Sequence, residues 1–82
     1  MDRLLDVAPA GDTVTGYDRK RLVQYAALLD AADTGQDWRD AASIILGLDA
    51  SDAGAEVCWR SHLERARWIV GEGLGQAIEA FG

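Results

Sequence analysis

Apolar residues recur at a helical period from Tyr17 onwards, and polar residues fill the positions between them. The first set, at spacings of three and four residues, lies on one face of an α-helix: Leu22, Tyr25, Ala26 and Leu29. We predict that this helix ends near Gly35, because glycine readily takes the left-handed conformation found at helix ends. Asp18 lies in the first turn, where the helix dipole favours an anion, and the basic cluster 19–21 lies on the outer face.

A second, shorter helix is predicted over Trp38 to Leu46. Asp37 suits its N-cap, because a carboxylate there accepts hydrogen bonds from N–H groups of the first turn. Asp40 would complete a weaker form of the capping box. Gly47 ends the helix, and the inner face consists of Trp38, Ala41, Ala42 and Ile45.

The third predicted helix is the longest and runs from about Ala53 to Glu72. Its inner face is apolar: Ala55, Trp59, Leu63, Ala66 and Val70, flanked by Cys58, His62 and Ile69. At about 100° per residue, Trp68 falls on the opposite side of the helix from Trp59. Trp59 is therefore predicted to lie in the core. Trp68 is either covered by another segment of the chain or exposed as an anchor for a partner. One more short helix is predicted over residues 74–81.

Residues 1–16 have no helical period and contain breakers such as Pro9 and Gly11. We predict a flexible N-terminal arm over residues 1–16, which brings Leu4, Leu5 or Val14 against a helical domain over residues 17–82. The short second helix and the glycine-containing break before the third give a helix-turn-helix-like order. The predicted fold class is all-α: a small three- to four-helix domain, helix-turn-helix-like, with a flexible N-terminal arm.

The net charge of the chain bears on whether its partner is DNA or a protein. The 82 residues suit a single domain, and 14 acidic against 8 basic residues give a net charge of −6. Proteins that hold DNA by neutralising its phosphates usually carry the opposite sign. An acidic surface is at least as well suited to a basic protein. With one cysteine, no signal-peptide pattern and no long apolar run, we predict a cytoplasmic protein that does not enter the membrane.

Few residues could carry chemistry. Cys58 and His62 lie four residues apart on one helical face, but a zinc site needs four ligands, and a Cys–His nucleophile needs a substrate pocket. We therefore interpret them as a partly buried structural pair. The glycine-rich segment 71–75 follows a helix instead of a strand and has no lysine, unlike a phosphate-binding loop. We expect no enzymatic activity, no metal and no cofactor.

Three blocks of sequence resemble a known family. They cover residues 16–30, 37–49 and 62–68, and include Gly16-Tyr17-Asp18-Arg19-Lys20-Arg21-Leu22, Asp37-Trp38-Arg39 and His62-Leu63-Glu64-Arg65-Ala66-Arg67-Trp68. In order and spacing they resemble a proteobacterial helix-turn-helix-variant family of integrative and conjugative elements, first catalogued as a domain of unknown function. The chain is most similar to the short quorum-sensing antiactivators of that family.

The resemblance implies two kinds of function. Some members of the family are transcription activators that bind DNA. The antiactivators instead bind a LuxR-type activator, TraR, and a second activator, FseA, and so block genes for excision and conjugative transfer. The resemblance therefore implies protein partners that are TraR-like and FseA-like.

The third helix favours the antiactivator. Its arginines Arg60, Arg65 and Arg67 are balanced by Glu56, Glu64 and Glu72, whereas a recognition helix presents basic or amide groups to DNA. We expect a monomeric antiactivator whose partner-binding residues are Val57, Arg60, Ser61, Glu64, Arg65 and Trp68. The alternatives are a DNA-binding regulator that uses this helix with the basic cluster Arg19, Lys20 and Arg21, and a structural subunit of a larger assembly.

Overall fold

The structure is a computed structural model that describes residues 4–73. Within them lie four α-helices: α1, Gly16–Lys20; α2, Leu22–Asp33; α3, Trp38–Leu46; and α4, Ala55–Trp68, which continues into a π-helical turn at Ile69–Gly73. No strand occurs in residues 4–73, and the predicted all-α fold class is confirmed. The short helix predicted over residues 74–81 lies outside the described residues.

The first predicted helix is two helices that meet at Arg21. Thr15 closes the start of α1 with a capping box: its hydroxyl accepts from the Asp18 N–H at 3.2 Å, and the Asp18 carboxylate accepts from the Thr15 N–H at 2.9 Å. Arg21 leaves the helical conformation with φ −106° and ψ 7°. Its N–H donates to the Asp18 carbonyl at 3.0 Å, which ends α1 one residue before α2 begins.

The buried face of α2 differs from the predicted one. Tyr25, Leu28 and Ala31 are buried, whereas Ala26 is exposed, so its placement on the inner face is wrong. The reason is that α2 packs against both α3 and α4. A helix covered on two sides needs a broad apolar face, and the residue at its centre is Leu28.

The prediction for α3 is confirmed at both ends. The Asp37 carboxylate accepts from the Arg39 N–H at 3.4 Å at the start. Gly47 ends the helix in the left-handed conformation at φ 69°. Ala41 and Ala42 are buried, and Trp38 and Ile45 are half-buried, so the predicted inner face is the one that faces the core.

The centre of the buried face of α4 is rotated from the predicted stripe. Cys58, His62, Arg65 and Ile69, at spacings of four, three and four residues, are all buried. Trp59 is half-buried beside Trp38, with 5.7 Å between ring centroids, and Val70 is half-exposed. Of the predicted inner face, Ala55, Leu63 and Ala66 are buried and Trp59 packs against the core, whereas the burial predicted for Val70 is wrong. The backbone also leaves the α-helical period at Ile69, where the π-helical turn begins.

The core joins all the larger elements. It consists of Tyr25, Leu28, Leu46, Leu63, Ala66 and Ile69, and Leu4 of the N-terminal segment packs against it. Residues 47–54 connect α3 to α4, a longer connection than the three or four residues of a helix-turn-helix turn. Among the described residues, no helix combines the length and the apolar character that crossing a membrane requires.

Candidate functional site

The N-terminal segment crosses the side of α4 on which the sequence places a partner-binding surface. Of the predicted N-terminal arm, residues 4–14 are described by the structure and precede the capping residue of α1; from here on we call these residues the arm. They contain no helix or strand. Val57, Arg60 and Glu64 are exposed on α4, and Ser61 is half-buried. The Ala8 N–H donates to the Ser61 hydroxyl at 2.9 Å, so the arm is attached to the middle of this surface and forms part of it.

Arg65 is not available to a partner. Only 4% of the residue is exposed. Its Nε donates to Asp18 Oδ1 at 3.1 Å and its Nη2 to Asp18 Oδ2 at 2.7 Å, an ion pair in which both side chains are buried. The prediction that Arg65 lies at the edge of a binding surface is therefore wrong. A charge is buried at this position because it meets an opposite charge in bidentate geometry.

Asp18 is held in its charged form by its neighbours. The Tyr25 hydroxyl donates to Asp18 Oδ1 at 2.9 Å, in addition to the bonds from Arg65 and Thr15. Burial alone would raise the pKa of Asp18, but these hydrogen bonds outweigh it and lower the pKa below 3.8. Burial and the adjacent carboxylate also raise the pKa of Tyr25 well above its usual value, so its hydroxyl remains a donor.

The same guanidinium ties the arm to α4. Arg65 Nη2 also donates to the Thr13 carbonyl at 2.8 Å, and its Nη1 donates to the Gly11 carbonyl. The backbone of the arm thereby supplies acceptors that complete the hydrogen bonding of a buried cation. The predicted flexibility of the arm remains a prediction, whereas the contacts predicted for it are present: Leu4 packs on the core.

Trp68 is half-buried and packs against the hydrophobic core. The guanidinium of Arg65 lies 4.2 Å from the ring centroid of Trp68, a cation–π contact. On its other side the ring borders a shallow cavity of 260 Å³ shared with Pro9, Ser61 and Glu64. Both interpretations of Trp68, coverage by another segment and an anchor for a partner, stay predictions, because the residue is neither fully buried nor fully exposed.

The Tyr17 hydroxyl of α1 forms hydrogen bonds with both His62 of α4 and the backbone of the arm. The imidazole is fully buried; Nδ1 lies 2.7 Å from the Cys58 carbonyl oxygen and Nε2 lies 2.6 Å from the Tyr17 hydroxyl. Because a carbonyl only accepts, Nδ1 carries the proton, and the Tyr17 hydroxyl must donate to Nε2. The same hydroxyl oxygen accepts from the Leu5 N–H at 3.1 Å. This chain of hydrogen bonds requires a neutral imidazole.

The electrostatics of His62 agree with that arrangement. Burial lowers the pKa of His62 below 6.5, and the charge of Arg21 acts in the same direction. The hydrogen bond to the Cys58 carbonyl and the charge of Asp18 oppose this shift without cancelling it. His62 therefore serves the structure as a neutral side chain.

Cys58 is likewise structural. Its thiol donates to the Leu5 carbonyl at 3.3 Å, and burial, together with the charge of Asp6, raises the pKa of the thiol above 9.0. A thiol in that state is a poor nucleophile and a poor metal ligand. Among the described residues, no group of three or more His, Cys, Asp or Glu side chains could hold a metal ion.

A larger groove opens between the arm and α4. We call it the arm groove; its volume is 490 Å³, and the residues that line it include Asp6, Val7, Leu48, Asp52, Ala55 and Val57. Val7 and Val57 stand on its two sides and are 54% and 52% exposed. Of the residues predicted to bind a partner, only Val57 lines this groove, while Ser61, Glu64, Arg65 and Trp68 line the shallow cavity.

The basic cluster of the first helix is not a uniform surface. Arg21 folds back: its Nη1 donates to Gln24 Oε1 at 2.9 Å and its guanidinium lies 5.1 Å from the ring centroid of Tyr17. Arg19 and Lys20 remain exposed. On α4, Arg60 pairs with Glu56 at 3.3 Å, so a carboxylate lies beside this arginine.

Sequence reasoning missed Asp6, Val7 and Asp52, because nothing in an irregular segment reveals which helix it will lie against. The burial of Arg65 did leave a signal, since its spacing from Cys58, His62 and Ile69 is helical.

Comparisons with protein-family models, curated proteins and solved structures found no match for this chain.

Proposed function

We propose that the protein is an antiactivator, which binds and inhibits transcription activators, TraR-like and FseA-like, that control excision and conjugative transfer of an integrative element. The sequence blocks that resemble the helix-turn-helix-variant family, and QseM among its antiactivators, suggest this role. On this proposal the protein has no catalytic activity and acts in the cytoplasm by occupying its partner.

One observation carries the proposal: the surface formed by the arm and α4 combines exposed apolar side chains with charged ones, most of which are carboxylates. Leu5, Val7 and Val57 are exposed apolar residues on it. Asp6 and Asp52 line the adjoining groove, and Glu64 borders the cavity on the other side of the arm. An apolar centre with a charged rim is typical of protein interfaces, in which apolar burial supplies affinity and the rim supplies specificity.

The alternative function, a DNA-binding regulator, has less support. Burial withdraws Arg65 from solvent, and Arg60 is paired with Glu56. The exposed cations of residues 4–71 are Arg19 and Lys20 on α1, Arg39 on α3, and Arg60 and Arg67 on α4, and Arg39 and Arg60 each lie beside an acidic side chain. A protein that relies on so few phosphate contacts, against a net charge of −6, would hold DNA weakly at physiological salt.

Two measurements on the unmodified protein separate these functions. We expect the tagged protein to co-purify with TraR-like or FseA-like activators encoded on the same element, and to reduce transcription from their target promoters. We also expect no sequence-specific shift of promoter DNA at about 1 µM protein, since specific binders act at about 10⁻⁸ M or below. A specific shift at nanomolar protein, lost in Arg67→Ala, would establish the DNA-binding alternative instead.

A further inference from the structure

One wall of the arm groove is the arm itself, whose backbone is hydrogen-bonded to side chains of α1 and α4. Leu5 is held at both polar backbone atoms, because its N–H donates to the Tyr17 hydroxyl at 3.1 Å and its carbonyl accepts from the Cys58 thiol at 3.3 Å. Ala8 is held by the Ser61 hydroxyl at 2.9 Å. Asp6 and Val7 lie between these two anchored residues. A wall that is already ordered costs a ligand less conformational entropy on binding.

Apolar side chains and two carboxylates line the arm groove. Val7 and Val57 face solvent over about half of their surface, and Leu48 and Ala55 line the space between α4 and the 47–54 connection. Asp6 and Asp52 are the charged residues among those that line it, and no lysine or arginine is among them. The charge of the groove is therefore wholly negative in the described part of the chain.

We propose that the arm groove receives a basic amphipathic segment of the partner activator. A leucine, isoleucine or methionine of that segment packs between Val7 and Val57, and flanking lysine or arginine residues meet Asp6 and Asp52. Exposed ion pairs contribute little affinity by themselves. The apolar side chain therefore supplies most of the binding, and the two carboxylates fix the register of the segment and exclude acidic ones. This inference rests on the proposed function, because it assigns the surface that an antiactivator would use.

The probe is a fluorescein-labelled peptide of about 14 residues in which leucines alternate with pairs of lysines, and a matched peptide carries glutamates in place of the lysines. We expect the lysine peptide to bind at micromolar concentration and the glutamate peptide not to bind. Binding of the lysine peptide should weaken with added salt, because the two carboxylates are solvent-exposed. No binding of the lysine peptide at about 100 µM would overturn the proposal.

Two pairs of variants separate local contacts from general attraction to an acidic protein. Val57→Glu adds a negative charge and should still weaken the lysine peptide about tenfold or more, because it removes the apolar contact. Val23→Glu makes the same change at an exposed valine of α2 and should not weaken binding. Asp52→Lys should weaken binding about tenfold, while Asp30→Lys, an identical charge change on α2, should change it by less than about threefold. Circular dichroism verifies that each variant is folded.

The outcomes with the activator distinguish this inference from the proposed function. If the parent holds the activator and Val57→Glu and Asp52→Lys hold it equally well, the activator binds elsewhere and the groove proposal is wrong, while the antiactivator function stands. If the parent holds no activator but the lysine peptide binds with the expected variant effects, the function is wrong and the groove assignment stands. If all four variants weaken the peptide equally, the attraction is non-specific and the groove proposal fails.

Discussion

The burial of Arg65 carries an electrostatic cost that four hydrogen bonds and a stacked ring offset. Two of the bonds go to Asp18 and two to the carbonyls of Gly11 and Thr13. Each partner lies on a different element or segment from α4, so the ion pair joins α1, the arm and α4 at one point. Removing one partner of such a pair is more damaging than replacing both, because an uncompensated charge remains in the interior.

Arg65→Met should therefore cost about 3–5 kcal/mol of unfolding free energy, measured by urea denaturation with circular dichroism. In so small a domain this is enough to unfold much of the population. The exposed Arg67→Met should stay within about 0.5 kcal/mol of the parent. Adding Asp18→Asn to Arg65→Met should recover part of the loss, since the buried charge is then gone. Equal stability of Arg65→Met and Arg67→Met would show that the ion pair is unimportant.

At the level of elements, the ends of α3 were easier to predict than the buried faces of α2 and α4. The start and end of α3 were predictable because Asp37 and Gly47 act through their own local conformation. The buried face of α4 was not, because tryptophan looks more hydrophobic than arginine in any local pattern. The spacing of Arg65 from Cys58 and His62 is compatible with burial, but the opposite charge that makes burial possible, Asp18, lies on another helix and is not visible in the local pattern. The arm groove was equally inaccessible, because it depends on where an irregular segment docks.

Gly47 tests whether local backbone conformation determines where α3 ends. Gly47→Ala should cost about 1–2 kcal/mol, because the residue has φ 69° and the left-handed region is unfavourable for alanine. A Cβ at Gly47 would meet no atom of a residue elsewhere in the fold within 4 Å, so the cost arises from the local backbone and not from tertiary packing. Thermal or urea unfolding measures it.

Gly54 provides the matched control. It is the N-cap of α4 with φ −91° and equally open space, so Gly54→Ala should stay within about 0.5 kcal/mol of the parent, because the lower entropy of the unfolded chain offsets the poorer N-cap. If the two alanine variants had the same stability, the left-handed end of α3 would not be a constraint on the fold.

For the whole molecule, the neutral state of His62 couples stability to pH. Burial lowers the pKa of His62 below 6.5 in the folded protein, whereas the unfolded chain keeps a value near 6.5. Between these values the unfolded state binds more protons, so stability is complete above pH 6.5 and decreases as the pH falls below it. Because one proton is involved, the free energy of unfolding cannot change by more than about 1.4 kcal/mol per pH unit. Asp18, whose pKa is lowered below 3.8, adds its own loss only as the pH falls through that lower range.

His62 is the single histidine, which makes this prediction directly measurable. Urea unfolding between about pH 5 and pH 8 should show the loss beginning near pH 6.5. The imidazole resonances of the folded protein, followed by NMR, should show no midpoint at or above pH 6.5. A midpoint there would mean that the buried imidazole accepts a proton without penalty. Nε2 could then not be the acceptor for the Tyr17 hydroxyl, and the chain of bonds that holds Leu5 of the arm would have to be different.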